Sequence, residues 1–119
     1  MQGLSKRTSQ VLGNSPRLLI VDADAYLRAN LRQQFFAEGF QDIFDVGSVT
    51  GLNATLEDAN PDLILLDLQM PDCNGVEICK RFRSNGFVKP IVMLTDKNAE
   101  SDIIEGLKAG ANDYVKKPI

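Results

Sequence analysis

A chain of 119 residues with 44% apolar and 24% charged side chains has the size and composition of one globular domain built on one core. Its formal charge of -3, with no concentrated basic run, excludes direct gripping of a phosphate backbone by this segment, and no apolar stretch is long enough to span a membrane. Histidine is absent, so an imidazole base, metal ligand or phosphoryl carrier has to come from a partner.

Residues 1–16 are rich in Ser, Gly, Gln and basic side chains, lack apolar periodicity and close on Asn14-Ser15-Pro16, which predicts a flexible leader. They also lack the apolar middle of a signal peptide, so a cytoplasmic protein is expected. Residues 17–119 form the expected domain. LLIV running into Asp22 is apolar on both faces, as a central parallel strand is. Leu27, Leu31 and Phe35 then fall at helical spacing, with Asp24 as N-cap and Gly39 as stop. IFDV at 43–46 predicts a second strand, and Val49, Leu52, Leu56 and Ala59 mark a second helical face that Pro61 ends. LILL running into Asp67 is a third strand. Gly75 opens a helix with Val76, Cys79 and Phe82 on one stripe and Asn85-Gly86 at its end. After Pro90, IVML runs into Thr95. Ile103, Ile104 and Leu107 predict the next helix, closed by Gly110, and YVK at 114–116 leads to Lys117-Pro118. Cys73 and Cys79 stand without histidine partners, which argues against zinc and gives a disulfide little support, so both are expected in packing or loop positions.

Five strands alternating with four helices require a parallel sheet with right-handed crossovers and helices on both faces, a doubly wound α/β fold. Asp22, Asp67, Thr95 and Lys117 then converge at the carboxyl edge of that sheet, where open α/β sheets bind ligands. A fifth helix should follow Pro118 and share a face of the sheet with the first. Its absence predicts an uncovered apolar face, and therefore a truncated chain or a covering second chain.

Asp22 after the first strand, Asp67-Leu68-Gln69-Met70-Pro71 with Gly75 after the third, Leu94-Thr95 after the fourth and Lys117-Pro118 after the fifth together resemble the receiver domain of bacterial response regulators, over residues 17–119. The resemblance implies a flavodoxin-like sandwich with strand order 2-1-3-4-5. It implies that Asp67 accepts a phosphoryl group from a sensor histidine kinase or phosphotransfer protein, a role that suits a carboxylate nucleophile at neutral pH. Lys117 and Thr95 would sense the phosphoryl group, and Tyr114 would be the aromatic whose orientation follows it. Mg2+ is the implied cofactor, held by Asp22, Asp67 and the backbone carbonyl of Gln69. A turnover enzyme is not implied; a homodimer and a DNA-binding output module beyond Ile119 are.

Two positions depart from the family pattern. Ala23 stands where an acid normally ligates the metal, which should weaken Mg2+ binding; Asp24 is expected to cap the helix rather than replace that ligand. Asp96 stands where a small residue usually leaves the phosphoryl path open, and reads as a solvated loop acid or a cap that also adds negative charge. These departures sustain an alternative, a degenerate receiver acting as a phosphorylation-independent interaction module. A remoter one rests on Asp22-Ala23-Asp24, which also resembles the first motif of haloacid-dehalogenase-type phosphatases. That family's terminal acidic pair and capping domain are missing.

Overall fold

A computed structural model describes residues 16–50, 52–96 and 100–118. The apolar runs form β1 (Arg17–Val21), β2 (Asp42–Val46), β3 (Leu63–Asp67), β4 (Ile91–Thr95) and β5 (Asp113–Lys116). Between them lie α1 (Ala25–Ala37), α2 (Leu52–Ala59), α3 (Gly75–Ser84) and α4 (Glu100–Ala109). The sheet is wholly parallel in the order β2-β1-β3-β4-β5, the flavodoxin-like arrangement. β3 and β4 are buried throughout and β1 is buried beyond Arg17, while the edge strands β2 and β5 are partly exposed. That is the distribution expected when helices cover both faces of a parallel sheet.

Alternation along each strand divides the core in two. Leu19, Val21, Ile64, Leu66, Ile91 and Met93 face α2, α3 and α4. Leu18, Ile20, Leu63, Leu65, Val92 and Leu94 lie on the α1 side with Leu31, Phe35 and Phe40. Here the expectation of an uncovered apolar face is corrected. Leu63, Leu65 and Leu94 are fully buried and Val92 is 3% exposed, so this face is not open. Leu27, Leu31 and Phe35 pack on it from α1, and the Phe40 ring meets Phe35 edge-on at a centroid distance of 5.2 Å.

Helix ends follow local chemistry. Asp24 caps α1 by accepting from the backbone N–H of Tyr26 and Leu27, and Gly39 takes a positive φ of 106° just after the helix. One detail of the helix readings changes. Val49 lies before α2 and packs against the core from the preceding loop, where its N–H donates to the Asp72 carboxylate. In α4 the inward residues are Ile103 and Gly106, whereas Ile104 and Leu107 are 53% and 40% exposed. A Cβ on Gly106 would lie 2.0 Å from the Met93 sulfur, so the glycine lets the helix sit directly on β4. Residues 1–15 of the expected leader lie outside the described residues; Pro16 is buried. Among the described residues no helix is long and apolar enough to cross a membrane.

The amino edge of the sheet is tied by cations. Arg83, at the end of α3, donates to the carbonyls of Phe87, Lys89 and Gly110 and to Asn112 Oδ1 at 2.7–2.9 Å. Asp62 accepts from the Arg17 N–H at 2.9 Å and from Lys89 Nζ at 2.8 Å. Burial works against the Asp62 charge, but these donors outweigh it and hold the carboxyl below its ordinary range.

Candidate functional site at the carboxyl edge

Three polar side chains are buried among the described residues, Asp22 (1% exposed), Asp67 (5%) and Thr95 (1%), and all three stand at the carboxyl ends of central strands. Strand geometry puts them there. Each follows or closes an apolar run that must lie in the sheet, so the first polar residue emerges at the same edge. Lys117, one residue past β5, reaches back with its Nζ 2.9 Å from Asp22 Oδ2 and 3.5 Å from Asp67 Oδ1. Its N–H donates to the Thr95 carbonyl at 2.7 Å, which continues the β4–β5 ladder to the site, and the peptide bond to Pro118 is cis.

The two acids are held alike. Asp22 Oδ1 accepts from the Asp24 N–H at 2.9 Å, and Asp67 Oδ1 accepts from the Gln69 N–H at 3.0 Å, each bending the chain immediately beyond its strand. Asp22 Oδ2 is buried without a hydrogen bond and meets Lys117 only at ion-pair distance. Burial raises the Asp67 pKa, the Asp22 charge raises it further, and the Gln69 N–H and Lys117 only partly oppose this. For Lys117 burial works against the charge, yet Asp22 and Asp67 outweigh it and raise the ammonium's pKa. The result is two carboxylates sharing one firmly protonated lysine.

The α3 N-terminus fixes the loop beyond Asp67. Asn74 caps it by accepting from the Val76 N–H at 2.7 Å, and the Gly75 N–H donates to the Leu68 carbonyl. A Cβ on Gly75 would stand 2.4 Å from the Asp67 carbonyl oxygen and 2.6 Å from Leu68 Cα, so only glycine admits this approach. Thr95 Oγ1 donates to the Asp96 carbonyl at 3.3 Å. Asp96 is exposed, as is Ala23. Asp24 and Asp96 line a cleft of about 390 Å³ with Tyr26, Leu27 and Asn30 of α1, and Lys117 and Pro118 form the rest of its lining. Tyr114 pairs in register with Met93 on edge strand β5 and is 38% exposed, outside the core. Both cysteines are free; Cys79 is buried, which pushes its thiol pKa up, and Cys73 is half-buried.

The donor set can be tested against a divalent cation. Asp22 offers a buried oxygen with no hydrogen bond, and Asp67 shares the same lysine. Asp24 is committed to capping α1 and residue 23 has no donor side chain. No group of three or more His, Cys, Asp or Glu suited to a metal occurs among the described residues. Two carboxylates with a carbonyl and water fit Mg2+, which often binds through one or two carboxylates. They do not make the geometry of a phosphatase that uses the second acid for proton transfer, since Asp24 Oδ1 accepts two backbone N–H groups.

Sequence reasoning missed Arg28 and Asn74. Arg28 Nη1 donates to the Asp22 carbonyl at 2.7 Å and its Nε donates to Asp45 Oδ1 at 2.9 Å. Asn74 carried a signal, an N-cap residue immediately before a helix-opening glycine. Arg28 carried none, because it joins the turn after β1 to an acid on β2 that only the folded sheet brings beside it.

The chain matches the sequence pattern of the response regulator receiver domain over residues 18–119. It is 42% identical over 102 residues to the DNA-binding response regulator MtrA of Mycolicibacterium paratuberculosis, covering 86% of this chain and 44% of that protein. It is 38% identical over 104 residues to the response regulator MprA of Mycobacterium bovis, covering 87% and 45%. The chain thus spans less than half the length of these relatives. The Francisella response regulator 1452 receiver domain superposes with a TM-score of 0.78 at 27% identity, covering 87% of this chain and 85% of that one.

Proposed function

The chain belongs to the response regulator receiver family, signalling modules of two-component systems that are generally not enzymes, and on that premise we propose that Asp67 is its phosphoacceptor. The observation that carries this reading is the single lysine shared by two buried acids at one sheet edge. One Asp67 oxygen attacks the phosphorus of a phosphohistidine on a partner kinase or phosphotransfer protein. The P–O bond forms as the P–N bond breaks, and the imidazole nitrogen leaves with the electron pair and takes a proton. Negative charge builds on the phosphoryl oxygens, and a cation already held at the site stabilises it. Lys117 is that cation and passes from the carboxylates to a phosphoryl oxygen. Thr95 Oγ1 exchanges the Asp96 carbonyl for the phosphoryl group, and Tyr114 follows that movement at the surface.

Receiver domains in general bind Mg2+; here Asp22, Asp67 and the Gln69 carbonyl would hold it. When bound, Mg2+ neutralises charge on the transferred group. With Ala23 contributing no ligand, its affinity is weaker than in receivers with an acid at that position. Asp24 and Asp96 add negative charge beside Lys117, which slows small anionic donors. The module acts in the cytoplasm without substrate turnover of its own, pairs with a second copy, and serves an output domain. That domain binds DNA, by analogy with the DNA-binding relative MtrA.

The test is modification by beryllofluoride and acetyl phosphate, with and without Mg2+, on the native chain, Asp67→Ala and Ala23→Asp. Mg2+-dependent modification that Asp67→Ala abolishes and Ala23→Asp enhances by tenfold or more, on the order of the loss of a metal-site group, is the expected result. No modification of the native chain at millimolar Mg2+ would instead assign it a binding role independent of phosphorylation.

A further inference from the structure

Asp22 has four backbone and side-chain polar atoms, and three of them are held in place. Its N–H donates to the Val46 carbonyl at 3.1 Å, and its Oδ1 accepts from the Asp24 N–H at 2.9 Å. The third, its carbonyl, accepts from Arg28 Nη1 at 2.7 Å. The fourth, Oδ2, is buried without a hydrogen bond and faces Lys117. We infer that Arg28 is a positioning residue for the acidic site, fixing the turn after β1 so that Oδ2 of Asp22, paired with Lys117, faces the place where a divalent cation would be held. The inference rests on the phosphoacceptor reading of this edge.

Three observations set Arg28 apart from an ordinary surface cation. Its side chain is only 19% exposed. Residue 47 is a glycine whose Cβ, if present, would stand 2.7 Å from Nη1, so the chain leaves room for the guanidinium against β2. Its ion pair with Asp45 is not the sole support of that acid, because Arg32 Nη1 reaches Asp45 Oδ2 at 2.8 Å. What Arg28 supplies that Arg32 does not is the hydrogen bond to the Asp22 carbonyl. A planar guanidinium can serve the Asp45 carboxylate and the Asp22 carbonyl together, which a lysine ammonium at the end of a flexible stem does with far less directional control. The role has added weight in this chain. With Ala23 beside it, Asp22 is the one carboxylate that β1 brings to the site, and its direction decides whether two acids or one face the cation.

The experiment is a Mg2+ titration read by the rise in thermal unfolding midpoint, without phosphodonor, on the native chain, Arg28→Ala, Gly47→Ala and Asp45→Ala. Arg28→Ala should raise the half-saturating Mg2+ concentration about tenfold, the usual cost of removing a partner that orients a metal ligand, while Asp45→Ala stays within about twofold of native. Gly47→Ala, which crowds Nη1 and keeps the charge, should move it in the same direction as Arg28→Ala and decides the matter if that variant does not fold. Equal half-saturation in the native chain and in whichever Arg28 or Gly47 variant folds overturns the inference. So does an equal rise in Asp45→Ala, which would reduce Arg28 to a tie between α1 and β2. A native chain indifferent to Mg2+ overturns the reading of the site itself, an outcome visible before any variant is compared.

Discussion

The two edges of one sheet treat charge in opposite ways. At the amino edge Asp62 has Lys89 and the Arg17 N–H, Arg83 has an acceptor for each of its nitrogens, and the carboxyl pKa is lowered. At the carboxyl edge Asp22 and Asp67 are more deeply buried, share Lys117, and the Asp67 pKa is raised. Satisfied cations knit the first edge together; a surplus of negative charge is held at the second by the rest of the fold. A group whose ionised form is disfavoured after folding lowers stability and gains when a cation or a phosphoryl group rearranges its surroundings. The amino edge supplies stability and the carboxyl edge spends it, which is the pattern expected of an edge that responds to ligands.

The largest effect should come from breaking the amino edge. Arg83→Ala removes five hydrogen bonds and leaves the Gly110 and Lys89 carbonyls short of donors, so unfolding in urea should show a loss of about 3 kcal/mol. Its half-saturating Mg2+ concentration should stay native. The carboxyl edge should respond with the opposite sign: Asp67→Asn removes the disfavoured charge and should stabilise the chain by about 1 kcal/mol at neutral pH. That gain should shrink as pH falls through the raised Asp67 pKa and vanish below the ordinary value of 3.8, where the unfolded carboxyl is also protonated. Asp62→Asn should instead destabilise, by less than about 1 kcal/mol because the pair with Lys89 is partly exposed. Asp62's contribution is present above 3.8 and lost as pH falls through its lowered folded value, so urea midpoints of native and variant should converge only in stronger acid. Smallest is Asp96→Asn, which thins the negative charge around the cleft and should speed acetyl phosphate modification about two- to threefold.

Much of this division was legible in the residues. Apolar runs ending in Asp22, Asp67 and Thr95 gave the central strands and their convergence, because a buried parallel strand admits no polar residue until it leaves the sheet. Asp24 read correctly as a cap. The α4 helix was legible from Ile103, Ile104 and Leu107, but the side it turns inward was not, since a hydropathy pattern gives no weight to Gly106, which packs against Met93. The uncovered face was an inference from helix number, whereas burial depends on how Phe35, Phe40 and their neighbours fill the space. Arg83 and Arg28 escaped for a shared reason. Both serve several backbone or side-chain acceptors at once, some of them 17 to 29 residues away, and nothing in a local window distinguishes an arginine that will be clasped from one that will be solvated.

The lysine that neutralises the site comes from just past β5, while the acids come from the ends of β1 and β3. During synthesis the strands emerge in sequence, so β1, β3 and β4 can pair while Asp22 and Asp67 still lack their counter-ion. Two like charges near one another and withdrawn from water oppose the closing of that edge until Lys117 arrives. The acidic site therefore depends on the docking of β5, because the acids of β1 and β3 gain their counter-ion only when that strand pairs with β4.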